Sequence, residues 1–99
     1  MEVVDCHNYL WYIIPMRYET FEPVEVIAHF DHTRVNIIRF KRKNTIYKVT
    51  TFVNKWRLKE GGNPVTHFVV ECKDQKVICE LAFYHENFKW ELIQYDHLE

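Results

Sequence analysis

Nine cations lie between Arg34 and Lys59: Arg34, Arg39, Lys41, Arg42, Lys43, Lys48, Lys55, Arg57 and Lys59. The same stretch holds no Asp or Glu. The rest of the chain has four cations against fourteen acids, so a formal net charge of −1 hides a strongly basic segment on an acidic remainder. Such a localised positive field attracts phosphate or carboxylate groups at a distance. Phe40, Tyr47, Phe52 and Trp56 are interleaved with these cations. Exposed aromatics beside cations give nucleic-acid bases a stacking surface, each stack being worth roughly 1–3 kcal/mol. The expected phosphate contacts are Arg39, Lys41, Arg42, Lys43, Lys48, Lys55 and Arg57. Two other readings fit the same residues. Lysines on edge strands suppress aggregation while the aromatics are core, or the cations meet an acidic protein partner.

Other reactive side chains point to less. The three cysteines are Cys6, Cys72 and Cys79, an odd number that suits reduced thiols in a cytoplasmic protein. Of the six histidines, His29 and His32 flank a turn, and Cys6 adjoins His7. No second pair completes the four-ligand spacing of a structural zinc site, so no metal or other cofactor is expected. The chain has no serine, which excludes a serine triad. Its only glycines are Gly61 and Gly62, too few for a phosphate-cradling loop. Glu71 and Glu80 read as solvent-facing solubility residues. No catalytic residue and no small-molecule substrate emerge, and an enzyme is not expected.

Alternation of apolar and polar residues at period two, rich in Val, Ile, Thr and aromatics, predicts strands. They are expected over residues 24–30, 34–41, 45–53, 66–73, 76–84 and 89–95, joined by short loops that favour antiparallel hairpins. Phe68, Val70 and Cys72 share a face with Val77, Cys79, Leu81 and Phe83. A turn at Asp74-Gln75 then pairs Cys72 with Val77 and Val70 with Cys79. Cys72 and Cys79 become diagonal neighbours, roughly 7–8 Å apart, better read as core thiols than as a disulfide. Around Lys43-Asn44 the alternation places Ile38, Phe40, Tyr47, Val49 and Val53 on one face. The other face takes Val35, Ile37, Arg39, Lys41, Ile46, Lys48 and Phe52. Residues 52–58 read equally as strand or helical turn, and residues 8–14 as edge strand or short helix.

The fold expected is therefore mainly β: an antiparallel bent meander of five or six strands, or a partly open small barrel, with at most one short helix. With 99 residues it forms a single domain, taken as 1–97, with Leu98-Glu99 read as a cloning remnant. No apolar run approaches the roughly 20 residues of a membrane span, and no signal peptide is evident. The predicted core is Val26, Ile38, Phe40, Tyr47, Val49, Trp56, Phe68, Val70, Cys72, Cys79, Leu81, Phe83, Trp90 and Leu92.

The succession Pro23-Val24-Glu25-Val26, Ile38-x-Phe40, Tyr47-x-Val49, Val53-x-x-Trp56-Arg57, Phe68-x-Val70, Glu80-Leu81 and Trp90-x-Leu92 resembles a small bacterial domain of unknown function. That domain occurs alone or appended to proteins related to Y-family translesion DNA polymerases. The resemblance runs from Pro23 to Asp96 and leaves residues 1–22 outside it. It lacks glycines that such domains often carry in their hairpins. It implies a DNA-repair setting and transfers no catalytic residue. DNA or RNA is the first expected partner. A protein partner or a second copy, docked through a sheet edge or an aromatic patch, is the alternative.

Overall fold

A computed structural model of the chain describes residues 16–32 and 34–98. The expectations for residues 8–14, Cys6 and His7 lie outside the described residues. The architecture is antiparallel β, with eight strands rather than five or six and no helix among the described residues. The strands are β1 (Tyr18–Pro23), β2 (Glu25–Asp31), β3 (Arg34–Arg42), β4 (Thr45–Lys48), β5 (Thr51–Glu60), β6 (Asn63–Cys72), β7 (Val77–Tyr84) and β8 (Lys89–His97). They form a five-stranded sheet in the order β1-β8-β7-β6-β5 and a three-stranded sheet in the order β2-β3-β4.

The chain changes sheet twice, and backbone hydrogen bonds hold both corners. At the first, the Val24 N–H donates to the Trp90 carbonyl. The second divides the single strand expected over residues 45–53. There the Val49 N–H donates to the Ile38 carbonyl at 3.0 Å in the small sheet, and the Thr50 N–H to the Glu71 carbonyl at 2.8 Å in the large one. Consecutive amides thus bond to different sheets. The segment 52–58 resolves as strand and completes β5, which returns into β6 through Gly61-Gly62. Both glycines have positive φ, as a tight hairpin turn requires.

The two sheets enclose one core, built from Phe68, Val70 and Cys72 of β6, Val77, Cys79, Leu81 and Phe83 of β7, Leu92 of β8 and Phe40 of β3. The β6–β7 register is the expected one, Cys72 opposite Val77 and Val70 opposite Cys79. A Lys73–Lys76 turn, closed by the Lys76 N–H on the Lys73 carbonyl, and pairing without a bulge from Val65 to Cys72 hold this register. The Cys79 thiol has its pKa raised by its hydrogen bond to Cys72 and by burial, so it stays protonated at neutral pH.

Among the described residues four bulges interrupt the alternation. In β3 the partners step from Ile27–Arg39 to Ala28–Ile37, leaving Ile38 as the extra residue. Val35 and Ile37 therefore face the core, Ile38 turns outward, and Phe40 faces in again. Ile38, expected in the core, is 46% exposed for this reason. In the large sheet the register shifts at Val53 of β5, Ile93 of β8 and Thr20-Phe21 of β1. All three adjoin one cross-strand row, Asn54–Val69–Glu80–Gln94–Glu19, and bend the sheet along that line. No helix among the described residues is long and apolar enough to cross a membrane.

Candidate nucleic-acid interface and the buried His67–Glu80 pair

The bulge at Ile38 sorts the basic segment. Beyond it, Phe40 points inward and stacks on Tyr47 with ring centroids 4.9 Å apart. Its neighbours Arg39 and Lys41 must then point outward. Arg39 sits between Ile27 and Lys48, and Lys41 between Glu25 and Ile46, in adjacent rows of the three-stranded sheet. Arg39 and Lys48 are directly opposed like charges, an arrangement that by itself destabilises a sheet. Among the described residues no carboxylate comes within 4.0 Å of Arg39, Lys41 or Lys48. The half-exposed Ile27, Ile38 and Ile46 lie among them. Arg39, Lys41, Glu25, Ile27 and Ile46 border a depression of about 250 Å³.

Two other predicted contacts are engaged elsewhere. The Arg42 Nε donates to Glu22 Oε1 at 2.6 Å, and its guanidinium lies 4.9 Å from the Tyr95 ring centroid. Burial would lower the pKa of Arg42. Hydrogen bonds with Glu22, Tyr95 and Tyr47, together with the Glu22 charge, outweigh burial and raise it. Arg42 therefore braces the small sheet against β1 and β8. Lys43 also approaches Glu22, at 3.8 Å.

Lys55 and Arg57 belong to the other sheet. They lie opposite Phe68 and Thr66 on the core-facing side of β5, an exposed edge strand. The seven predicted contacts thus divide into an outward trio, a pair at Glu22 and a pair on β5. Of the interleaved aromatics, Phe40 and Trp56 are buried and Tyr47 is half-buried, so they do not offer stacking faces. Phe52 is 59% exposed and does.

Arg57 also acts on His85, whose Nε2 shares a 2.7 Å hydrogen bond with the Thr66 hydroxyl. Burial, then the Arg57 charge, lower the His85 pKa below 6.5. The unfolded chain therefore binds a proton at higher pH than the fold does. This stabilising contribution is present above pH 6.5 and is lost as pH falls through the folded-state value. In urea titrations, His85→Gln is expected to lose less stability than the wild type between neutral and mildly acidic pH. Equal losses would refute the assignment.

The opposite face of the large sheet holds an arrangement the strand pattern does not announce. Glu80, expected in water, is only 7% exposed. Its Oε2 lies 2.7 Å from His67 Nδ1, and its Oε1 accepts from Gln94 Nε2 at 2.8 Å. The Gln94 Oε1 accepts in turn from the Met16 N–H at 2.8 Å. Trp56 stacks on the His67 ring, centroids 5.4 Å apart and nearly parallel. The correction for Glu80 follows from its neighbours. Val69 and Ala82, on the same face, are as fully buried as the core, so this face is covered too. The apolar residues of β6 fall on both faces, Phe68 and Val70 on one and Val65 and Val69 on the other, which is the signal that both of its faces are buried.

No protein-family model matches the chain, and none of the curated proteins or solved structures compared with it matches either. Geometry and charge are thus the basis for a functional reading. A carboxylate-oriented imidazole is the pair used in general-base catalysis, but Cys72 and Cys79 lie on the other face of the sheet. Here the pair joins β6 to β7, and Gln94 extends the link to β8 and to Met16 where it enters β1. Among the described residues no three His, Cys, Asp or Glu side chains form a set able to hold a metal ion.

Proposed function

We propose that the domain is a non-enzymatic accessory module that holds nucleic-acid phosphates on the outer face of the β2–β3–β4 sheet. One observation carries this reading: Arg39 and Lys48 stand directly opposed, with Lys41 two residues along on the same face, and among the described residues no carboxylate lies within 4.0 Å of any of them, although Glu25 is the cross-strand neighbour of Lys41. Like charges kept side by side cost stability. A bound polyanion turns that cost into affinity, because each neutralised phosphate releases condensed counterions. The buried thiols suit work in the reducing cytoplasm. The resemblance to domains found beside translesion polymerases favours DNA during repair as the setting.

The test is a fluorescence-anisotropy titration of labelled DNA and RNA at several salt concentrations. The variant Arg39→Gln/Lys41→Gln/Lys48→Gln is expected to bind weakly, with a log–log salt slope smaller than wild type by about 2–3. Arg39→Glu is expected to weaken binding while raising stability by about 0.2–1 kcal/mol, because the new carboxylate faces Lys48. Undiminished binding by the triple variant would refute the proposal. Ile27, Ile38 and Ile46 favour a second reading, a protein partner with apolar and acidic groups, whose complex would persist at high salt.

A further inference from the structure

We propose that the nucleic acid is bound as a single strand, a base stacking on Phe52 while Lys55 and Arg57 take its phosphates. The inference rests on the phosphate-binding reading above and names the form of the ligand. Phe52 lies opposite Val70, on the face of β5 that also carries Lys55 and Arg57. Phe52 is 59% exposed and its ring stacks on no other ring among the described residues, nor is Lys55 or Arg57 in an ion pair there. Exposed phenylalanine beside two free cations is the composition of a stacking platform with a backbone clamp.

Position decides between single strand and duplex. Phe52 borders a cleft of about 70 Å³ with Val35, Asn36 and Ile37 of β3 and with Val49 at the corner between the sheets. Lys48 of the outward trio is the chain neighbour of Val49. The outward trio lies on the outer face of the small sheet, and Phe52, Lys55 and Arg57 lie beyond the corner at Val49-Thr50, so a ligand that reaches both sets of cations must bend round that corner. Duplex DNA is stiff over roughly 150 base pairs, and its base faces are closed within the stack. A single strand can turn the corner and presents an open base face to the ring.

The experiment compares single-stranded and duplex oligonucleotides of equal length, by anisotropy, with the wild type, Phe52→Ala and Phe52→Trp. The wild type is expected to prefer the single strand. Phe52→Ala should weaken single-strand binding roughly five- to a hundredfold and leave duplex binding unchanged. Phe52→Trp should restore affinity, with its added indole fluorescence quenched on binding. Circular dichroism checks folding, and the Phe52→Trp quenching carries the test if the alanine variant does not fold. If Phe52→Ala binds single strands like wild type while the Arg39/Lys41/Lys48 variant does not, the single-strand assignment fails and the phosphate-binding reading stands. If wild type binds neither form at low salt, both fail. If Phe52→Ala instead changes the oligomeric state of the free protein, Phe52 belongs to a contact between copies and the assignment is overturned.

Discussion

Glu80→Ala is expected to destabilise the domain by about 2–5 kcal/mol, roughly 1–3 kcal/mol for each buried hydrogen-bonding group left without its acceptor. The Glu80 carboxylate meets two side chains at once, His67 at 2.7 Å and Gln94 at 2.8 Å. Truncation leaves both without their acceptor in a site where His67 and Gln94 are buried. The loss also spreads along the chain, because Gln94 accepts the Met16 N–H at the entry to β1. Glu80→Gln keeps volume and one acceptor oxygen, and is expected to cost about 1–3 kcal/mol. Urea unfolding followed by circular dichroism measures both. A loss below about 1 kcal/mol for Glu80→Ala, within the range of exposed pairs, would show that Glu80 is solvated after all.

The second large effect is expected at Phe40. It is 1% exposed and, among the described residues, is the only one of the small sheet in the buried core cluster; Val26, Val35, Ile37, Tyr47 and Val49 are partly buried against it. Phe40→Ala opens a cavity between the sheets and removes the stack on Tyr47, at a cost of about 3–5 kcal/mol. That is a large fraction of the roughly 5–15 kcal/mol of a typical domain. Phe40→Leu, which refills most of the volume, is expected to cost about 1 kcal/mol. Hydrogen exchange locates the damage: amides of β2, β3 and β4 should lose protection before those of β6 and β7. Uniform loss across both sheets would show that the small sheet has no separate dependence on Phe40. Since Arg39 and Lys41 flank Phe40, the same variant should also lose nucleic-acid binding.

How far the fold is legible from the chain depends on where the strand period holds. From Phe68 to Cys72 and from Val77 to Phe83 one face carries a regular apolar set, and the turn at Asp74-Gln75 sets the register without a bulge, so Val70 meets Cys79 as expected. In β3 the extra residue at Ile38 shifts the period by one, which straight alternation cannot show. The trio Arg39, Lys41 and Lys48 was still legible as one face, because all three lie beyond the bulge. Arg42 was not, since its engagement by Glu22 depends on β1, a strand whose own bulge at Thr20-Phe21 and terminal Pro23 hide its alternation. Glu80 was misread because one strand pair, taken alone, assigns only one face to the core. The second covered face shows only in the apolar residues on both faces of β6 and in Trp56.

The surface reading is tested most directly by mapping backbone amide chemical shifts as an oligonucleotide is titrated in at low salt. Shifts are expected to concentrate on β3 and β4 around Arg39, Lys41, Ile46 and Lys48, to extend to Phe52, Lys55 and Arg57 of β5 with a single strand, and to fade as salt is raised, while the Arg42–Glu22 brace and the His67–Glu80 pair stay unperturbed. Shifts confined to other parts of the molecule, or none at all, would contradict the assignment of this face to nucleic acid.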